Sequence, residues 1–220
     1  MCLILVAWKV HANLPLVVAA NRDEFHARAA SRADWWPDHP EILAGRDLQA
    51  KGTWLGISRS GRFASVTNYR GAHDPGAAES RGALVTRFLV DGPDPETYIS
   101  KISPRNYSGF NLLVADRDEL WWLSNRDSGA RRLQPGYYAL GNLLLDSPEV
   151  REVKARFERT LAALEPMFSL LRTAKIVAPV YGTRCSTVVL ADGAGRTQFA
   201  ERSFDAAGAE GSTLRYELAA

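Results

Sequence analysis

The chain has 220 residues, 46% of them hydrophobic and 24% charged, which is enough for one substantial core, so we expect a single domain over residues 1–220. Its 27 lysines and arginines nearly balance its 25 aspartates and glutamates, and the net charge of +2 gives no field that would attract nucleic acid. The apolar run after Met1 is broken at Lys9, well short of a membrane span, and it lacks the features of a secretory signal, so we expect no integral membrane segment and a cytoplasmic location.

Cysteine and histidine usage argues against a metal centre and against a disulfide scaffold. The two cysteines, Cys2 and Cys185, are too few for a disulfide framework. No His, Cys, Asp or Glu cluster has the spacing of metal ligands, and the sequence has no glycine-rich phosphate loop. We therefore expect no metal, no required cofactor and two reduced thiols.

The first third of the chain predicts two β-hairpins. Residues 3–10 and 16–20 are rich in Val, Ile and Leu on either side of a turn-prone segment, and they predict the first hairpin. Residues 53–58 and 63–67 predict the second. Between the hairpins, residues 26–52 are predicted to form a long, partly ordered loop.

The middle of the chain predicts helices followed by a β-meander. Apolar residues recur at helical spacing from Leu84 to Leu89, and a second, short helix is predicted after Asp94. Strand character then returns in three segments, which predict the meander: residues 110–115, 119–123 and 137–142.

The last third predicts one helix and three strands. Ser147 and Pro148 suit the first turn of a helix, and its apolar stripe runs from Val150 to Leu164. The remaining strand-like segments are residues 186–190, 197–201 and 214–218. Strands at both ends with helices in the middle predict a mixed α+β layered fold.

Cys2 is the strongest candidate for chemistry. If Met1 is removed, this residue carries both a thiol nucleophile and an α-amine, whose reference pKa of roughly 7.7 to 8.0 lets it exchange a proton with the thiol near neutrality. No histidine base is then needed. The alternative is that Cys2 is a small apolar residue at the start of a buried strand.

The polar residues 21–24, Asn-Arg-Asp-Glu, directly follow the second predicted strand. A hairpin brings the far end of its second strand back to the beginning of its first, so Arg22 or Asp23 is expected to approach Cys2. A carboxylate there would hold an ammonium group, and an arginine would favour the thiolate. The alternative is a solvated strand end with local ion pairs.

Three further polar residues lie at predicted strand ends. Asn68 and Asn142 are amide donors of the kind that stabilise an oxyanion, although asparagines that end strands are usually turn residues. Arg184 lies where a predicted strand begins, and its guanidinium suits either a substrate carboxylate or a buried structural ion pair.

Several motifs, taken in order along the chain, closely resemble those of the NRDE-motif family, which is also called the transport and Golgi organisation family. They are Met-Cys at 1–2, Ala-Ala-Asn-Arg-Asp-Glu-Phe at 19–25, Gly-Thr-Trp-Leu-Gly-Ile-Ser at 52–58, Thr-Asn-Tyr at 67–69, Tyr-Ser-Gly-Phe-Asn-Leu-Leu at 107–113, Leu-Gly-Asn at 140–142, Tyr-Gly-Thr-Arg at 181–184 and Glu-Arg-Ser at 201–203. The match extends almost from end to end.

This family is similar in architecture to penicillin V acylases and choloylglycine hydrolases, which are N-terminal nucleophile (Ntn) hydrolases. The resemblance implies an α+β fold, a four-layer αββα sandwich of two antiparallel sheets flanked by helices. It also implies a catalytic set, with a nucleophile, an aspartate for its amine, two oxyanion donors and a late arginine: Cys2, Asp23, Asn68, Asn142 and Arg184. Residues expected to contact the ligand are Arg22, Asn21, Tyr69 and Trp54. The acylase pattern has an arginine three residues before the aspartate, where this chain has Ala20, so Arg22 would have to replace it from a different direction.

The resemblance implies two alternative functions, each with a small-molecule ligand. In the first, the protein is a cysteine amidohydrolase or acyltransferase that acts on C–N bonds of small, non-peptide amides. In the second, it is a non-catalytic binding or trafficking protein for haem, or for a lipid or acyl-CoA. Either Cys2 or a loop histidine such as His39 serves as an axial haem ligand, or an apolar, aromatic pocket holds haem without strong ligation. A third interpretation is that the motifs only maintain the fold. The sequence does not predict the oligomeric state.

Overall fold

The computed structural model describes residues 2–219, which form strands and helices in alternating groups. The strands are β1 (Leu3–His11), β2 (Leu14–Phe25), β3 (Ala30–Trp35), β4 (Ile42–Asp47), β5 (Leu55–Ser58), β6 (Phe63–Asn68), β7 (Phe110–Ala115), β8 (Leu120–Ser124), β9 (Arg131–Leu133), β10 (Gly136–Leu140), β11 (Tyr181–Ala191), β12 (Thr197–Phe204) and β13 (Glu210–Leu218). The α-helices are α1 (Arg81–Asp91), α2 (Pro95–Ser100), α3 (Arg151–Glu158) and α4 (Leu164–Arg172). Within this described range, no helix is long and apolar enough to cross a membrane.

The chain divides into two units. Unit 2 holds Ala29–Gln134 and Asn142–Leu144, and unit 1 holds the residues before, between and after these two segments. Each unit contains one antiparallel sheet with helices packed on it. That the whole chain forms one domain stays a prediction.

Unit 1 is built on a six-stranded sheet in the order β10-β1-β2-β11-β12-β13. The first predicted hairpin is confirmed, with Leu3 of β1 opposite Asn21 of β2. Alternate residues from Leu3 to Ala7 and from Val17 to Ala19 share a core with α3 and α4. The residues between them are also buried, which is why these segments are continuously apolar. The core shared with the helices includes Leu3, Leu5, Val17, Ala19, Phe157, Phe168, Leu171 and Val188.

Unit 2 is built on a seven-stranded meander in which each strand, from β3 to β9, pairs with the next along the chain. The second predicted hairpin is confirmed as β5 and β6. Both predicted helices are also present, and Asp94 caps α2 by accepting a hydrogen bond from the Thr97 amide at 2.8 Å. The core of this unit includes Ile42, Ala64, Leu84, Val85, Phe88, Phe110 and Leu112.

The prediction of a long loop over residues 26–52 is wrong. The segment contains β3 and β4, and β3 is an edge strand whose residues are largely exposed. An exposed edge strand does not need the apolar alternation by which strands are recognised. The sequence therefore carried little signal for β3. β4 is an interior strand, and its buried apolar run, Ile42 to Ala44, is too short to be distinctive.

The predicted meander is only partly correct. β7 and β8 pair as expected, but their third partner is the short strand β9. The segment predicted as that partner forms β10, which pairs with β1 in the other sheet. Local sequence indicates a strand, whereas its partner depends on long-range packing.

The predicted helix from Ser147 to Leu164 is divided in the structure. A 3-10 turn at Pro148–Val150 leads into α3, which ends at Glu158, and α4 begins at Leu164. Leu161, assigned to the apolar stripe, is 72% exposed between the two helices. The Ser147 side chain makes no capping hydrogen bond to the described residues, so the expected cap is also absent from them.

Among the strands that extend further than predicted, β2 and β11 affect the candidate site. β2 continues through residues 21–24 to Phe25, so the Asn-Arg-Asp-Glu motif lies within the strand instead of after it. β11 begins at Tyr181, so Arg184 also lies inside a strand. The two extensions pair with each other.

Candidate functional site

The hairpin of β1 and β2 brings Cys2 to Asp23, as its predicted register requires. Leu3 lies opposite Asn21, so the residue before β1 reaches the far end of β2. The partly exposed Cys2 thiol donates a hydrogen bond to the main-chain oxygen of Asp23, with 3.4 Å between Sγ and O. The candidate nucleophile and the candidate amine-binding carboxylate are therefore neighbours.

The carboxylate of Asp23 is buried and held by β11. Asp23 is 4% exposed, and its Oδ1 accepts a hydrogen bond from Thr183 Oγ1 at 2.6 Å. Burial raises the pKa of Asp23, and the hydrogen bond from Thr183 opposes this change because it favours the ionised carboxylate. The Asp23 carboxyl group is therefore held by a hydroxyl donor of β11, close enough to Cys2 for its charge to affect the thiol.

The surroundings of Cys2 keep it in the thiol form at neutral pH. Burial first, and then the nearby carboxylate of Asp23, raise the pKa of Cys2 to about 11. The positive charge of Arg22 acts in the opposite direction and is the weaker influence. The side chain of Arg22 is buried and lies 3.8 Å from the Glu24 carboxylate.

Tyr181 and Thr183 are site residues that were not singled out from the sequence. The Tyr181 hydroxyl donates to the main-chain oxygen of Asp23 at 3.1 Å, and its ring packs edge-on against Phe25 with centroids 5.3 Å apart. Burial raises the pKa of Tyr181, so its hydroxyl stays a donor. Both residues belong to the Tyr-Gly-Thr-Arg motif at 181–184, which was the available signal.

Asn21 has a structural role in place of the ligand contact predicted for it. It is fully buried, its Nδ2 donates to the Leu171 main-chain oxygen at 2.9 Å, and its Oδ1 accepts from Ser186 Oγ at 2.6 Å. These two bonds connect the end of α4 to the sheet. The Asn21 side chain thus makes its hydrogen bonds within the protein interior.

The Arg184 side chain hydrogen-bonds to the loop that follows β2. Its Nη1 donates to the main-chain oxygens of Phe25, His26 and Arg28, at 3.1, 3.0 and 3.5 Å. It lies at a β-bulge, because the residues before and after it, Thr183 and Cys185, pair with adjacent residues of β2. We therefore assign Arg184 to positioning the loop; the predicted clamp on a substrate stays a prediction.

The other predicted residues belong to unit 2. Asn142 Nδ2 donates to the main-chain oxygen of Asn68 at 2.7 Å, and the Asn142 main-chain oxygen accepts from the Arg70 amide at 2.7 Å. Tyr69, directly after β6, donates a main-chain hydrogen bond to Gly109, and Trp54, directly before β5, accepts one from the Val66 amide. The roles of Asn68 and Asn142 toward an oxyanion, and of Tyr69 and Trp54 toward a ligand, stay predictions.

Among residues 2–219, no three or more His, Cys, Asp or Glu side chains are grouped so that they could hold a metal ion.

A solved structure defines the class of fold. The Caenorhabditis elegans N-acylethanolamine-hydrolyzing acid amidase ortholog, an Ntn hydrolase, matches with a TM-score of 0.58 over 86% of this chain and 92% of its own, at 13% sequence identity. The chain thus has the α+β fold of the Ntn hydrolases, with two antiparallel sheets and few helices, which confirms the predicted fold class.

The sequence comparisons give the family. The family model described as Transport and Golgi organisation 2 matches residues 1–175. The Transport and Golgi organization protein 2 homologs of Homo sapiens and Bos taurus are 34% and 35% identical to this chain, and each alignment covers 86% of both proteins. The chain belongs to the transport and Golgi organisation 2 family, as its motifs predicted.

Proposed function

We propose that the protein is a cysteine amidohydrolase of the Ntn type that cleaves C–N bonds of small, non-peptide amides. The observation that carries the proposal is the contact of the Cys2 thiol with Asp23, whose buried carboxylate Thr183 holds in place. The fold supports it, because the solved neighbour is by name an amidase. The likeness between the two chains is one of fold alone.

The proposed reaction begins after removal of Met1, when the nitrogen of Cys2 changes from an amide to an amine. The amine accepts the thiol proton, and the sulfur attacks the substrate carbonyl carbon. The tetrahedral intermediate then collapses, the C–N bond breaks, and the departing amine takes the proton from the Cys2 ammonium. Asp23 stabilises that ammonium through its negative charge.

The second half of the reaction releases the acid. Water attacks the Cys2 thioester, giving one proton to the α-amine, and the sulfur leaves as the carbon–sulfur bond breaks. The sulfur regains the proton, and a carboxylic acid departs. In this scheme, the α-amine supplies the base, since a thiol is a poor nucleophile until it is deprotonated.

Haem binding, the alternative that the resemblance implies, stays a prediction. Cys2 would have to ligate the iron as a thiolate, the same form that the proposed hydrolysis requires. The other suggested ligand, His39, lies 3.7 Å from the Glu41 carboxylate and packs near the Trp36 ring. We derive no function through a haem group.

The test combines intact mass with turnover. Mass spectrometry establishes whether the purified chain begins at Cys2, and release of amine from a panel of N-acyl amides of small amines measures activity. We expect Cys2→Ala to abolish turnover and Cys185→Ala, the matched variant at the other cysteine, to retain it. Full turnover by Cys2→Ala, or turnover by a chain that retains Met1, would contradict the proposal.

A further inference from the structure

Thr183 is held in one orientation by two partners on opposite sides. It is 1% exposed, its Oγ1 accepts a hydrogen bond from the Ile176 amide at 2.9 Å, and it donates to Asp23 Oδ1 at 2.6 Å. The Thr183 amide also donates to the Ile176 main-chain oxygen at 2.9 Å. A hydroxyl has a single proton, so with the Ile176 amide on its oxygen, that proton points to Asp23.

The backbone around Thr183 is shaped to produce this contact. The bulge at Arg184 sets Thr183 opposite Asp23, while Cys185 lies opposite Arg22. Side chains alternate between the two faces of a sheet, so a shift of one residue in the pairing exchanges the side chains on each face. The bulge therefore decides which residue of β11 lies opposite Asp23. Gly182 permits the approach of Ile176, because a Cβ atom at Gly182 would lie 2.9 Å from the Ile176 main-chain oxygen.

We propose that Thr183 is a positioning residue that keeps Asp23 ionised and oriented toward the α-amine of Cys2. A hydroxyl that acts only as a donor stabilises a carboxylate and offers no acceptor to a protonated acid. The inference rests on the proposed function, in which Asp23 holds that amine. It assigns to β11 the role of opposing the rise in the pKa of Asp23 that burial causes.

Other groups that carry or can gain charge lie close to Asp23. The thiol of Cys2, the residue before β1, and the Tyr181 hydroxyl of β11 both contact its main-chain oxygen. Arg22 and Glu24 flank it on β2 and form an ion pair with each other. The substitutions that test Thr183 leave all four of these residues unchanged.

The test is a carbon-13 NMR titration of the Asp23 carboxyl carbon, with the signal assigned by Asp23→Asn. Three proteins are titrated, namely the unsubstituted protein, Thr183→Val and Thr183→Ser. Intact mass establishes the N-terminus of each. Loss of one hydrogen bond to a charged group should raise the midpoint of Asp23 in Thr183→Val by about one pH unit. Thr183→Ser retains the hydroxyl and should keep the midpoint of the unsubstituted protein.

The NMR midpoints test the inference without any substrate. An unchanged midpoint in Thr183→Val would overturn it, and so would a raised midpoint in a folded Thr183→Ser. If Thr183→Val does not fold, Thr183→Ala removes the same hydroxyl, and the serine variant still provides its own test. If the midpoints of Asp23 follow these expectations but the processed chain shows no turnover, the result would count against the amidohydrolase proposal and leave the role of Thr183 intact.

Discussion

Cys2 and Tyr181 donate hydrogen bonds to one shared acceptor, the main-chain oxygen of Asp23, at 3.4 and 3.1 Å. They come from the neighbourhood of β1 and from β11, which lie on opposite sides of β2 in the sheet. A single carbonyl therefore joins the candidate nucleophile to the strand that holds the Asp23 carboxylate. Substitutions around this carbonyl can separate structural from chemical roles.

Removing the Tyr181 hydroxyl should weaken the fold slightly. Tyr181→Phe keeps the ring contact with Phe25 and loses one hydrogen bond, so we expect the free energy of unfolding in urea to fall by about 1 kcal/mol. Tyr137→Phe on β10 is the matched control, because no hydrogen bond from its hydroxyl is seen among the described residues. Equal stability of Tyr181→Phe and the unsubstituted protein would show that the contact contributes nothing.

Alkylation of Cys2 should depend strongly on pH while Met1 is attached. The thiolate is the reactive form and is populated above the pKa, which is about 11 for Cys2. We therefore expect iodoacetamide labelling at pH 8 to be at least about tenfold slower than for an exposed cysteine, and to rise steeply toward pH 11. Peptide mass mapping between pH 7 and pH 11 measures the rate, and Cys2→Ala identifies the site. Rapid labelling at pH 7 would contradict the expectation.

Truncation of Asn21 should lower the free energy of unfolding, and this effect does not depend on the proposed reaction. Asn21→Ala leaves the Leu171 main-chain oxygen and the Ser186 hydroxyl without their buried partner, so the free energy of unfolding should fall by about 2 to 4 kcal/mol. Urea denaturation measures it, with Gln198→Ala at an exposed position of β12 as the control. A loss no larger than that of the control would mean that α4 is anchored by its apolar contacts alone.

Replacing Arg184 should loosen the segment that follows β2. Arg184→Met removes the donor to three carbonyls, and Arg184→Lys supplies an ammonium that cannot reproduce the planar guanidinium. Hydrogen–deuterium exchange of peptides covering residues 25–29 should become faster in both variants. Arg196→Met, which removes an exposed ion pair with Asp192, should leave this segment unchanged. Unchanged exchange in Arg184→Met would argue that Arg184 is available for a ligand.

The structure also shows where sequence patterns were informative about the fold. The β1–β2 hairpin, the β5–β6 hairpin and α1 were predicted because their apolar periods are local and strong. β3 was missed because an exposed edge strand lacks that period, and the interior strand β4 was missed because its buried apolar run is short. β10 was recognised as a strand and assigned to the wrong partner, since pairing across a long sequence separation depends on the packing of the whole sheet.

For the site at Cys2, the sequence by itself determined the proximity of Cys2 and Asp23, because the turn of one hairpin fixes which residues of its two strands meet. It also determined the family, through motifs that lie in order along the chain. Only the tertiary structure decided that Asn21 and Arg184 bind parts of the protein, and that Thr183 holds the Asp23 carboxylate. These contacts join residues separated by some 150 positions, and they depend on a bulge and on strand extensions that no local pattern encodes.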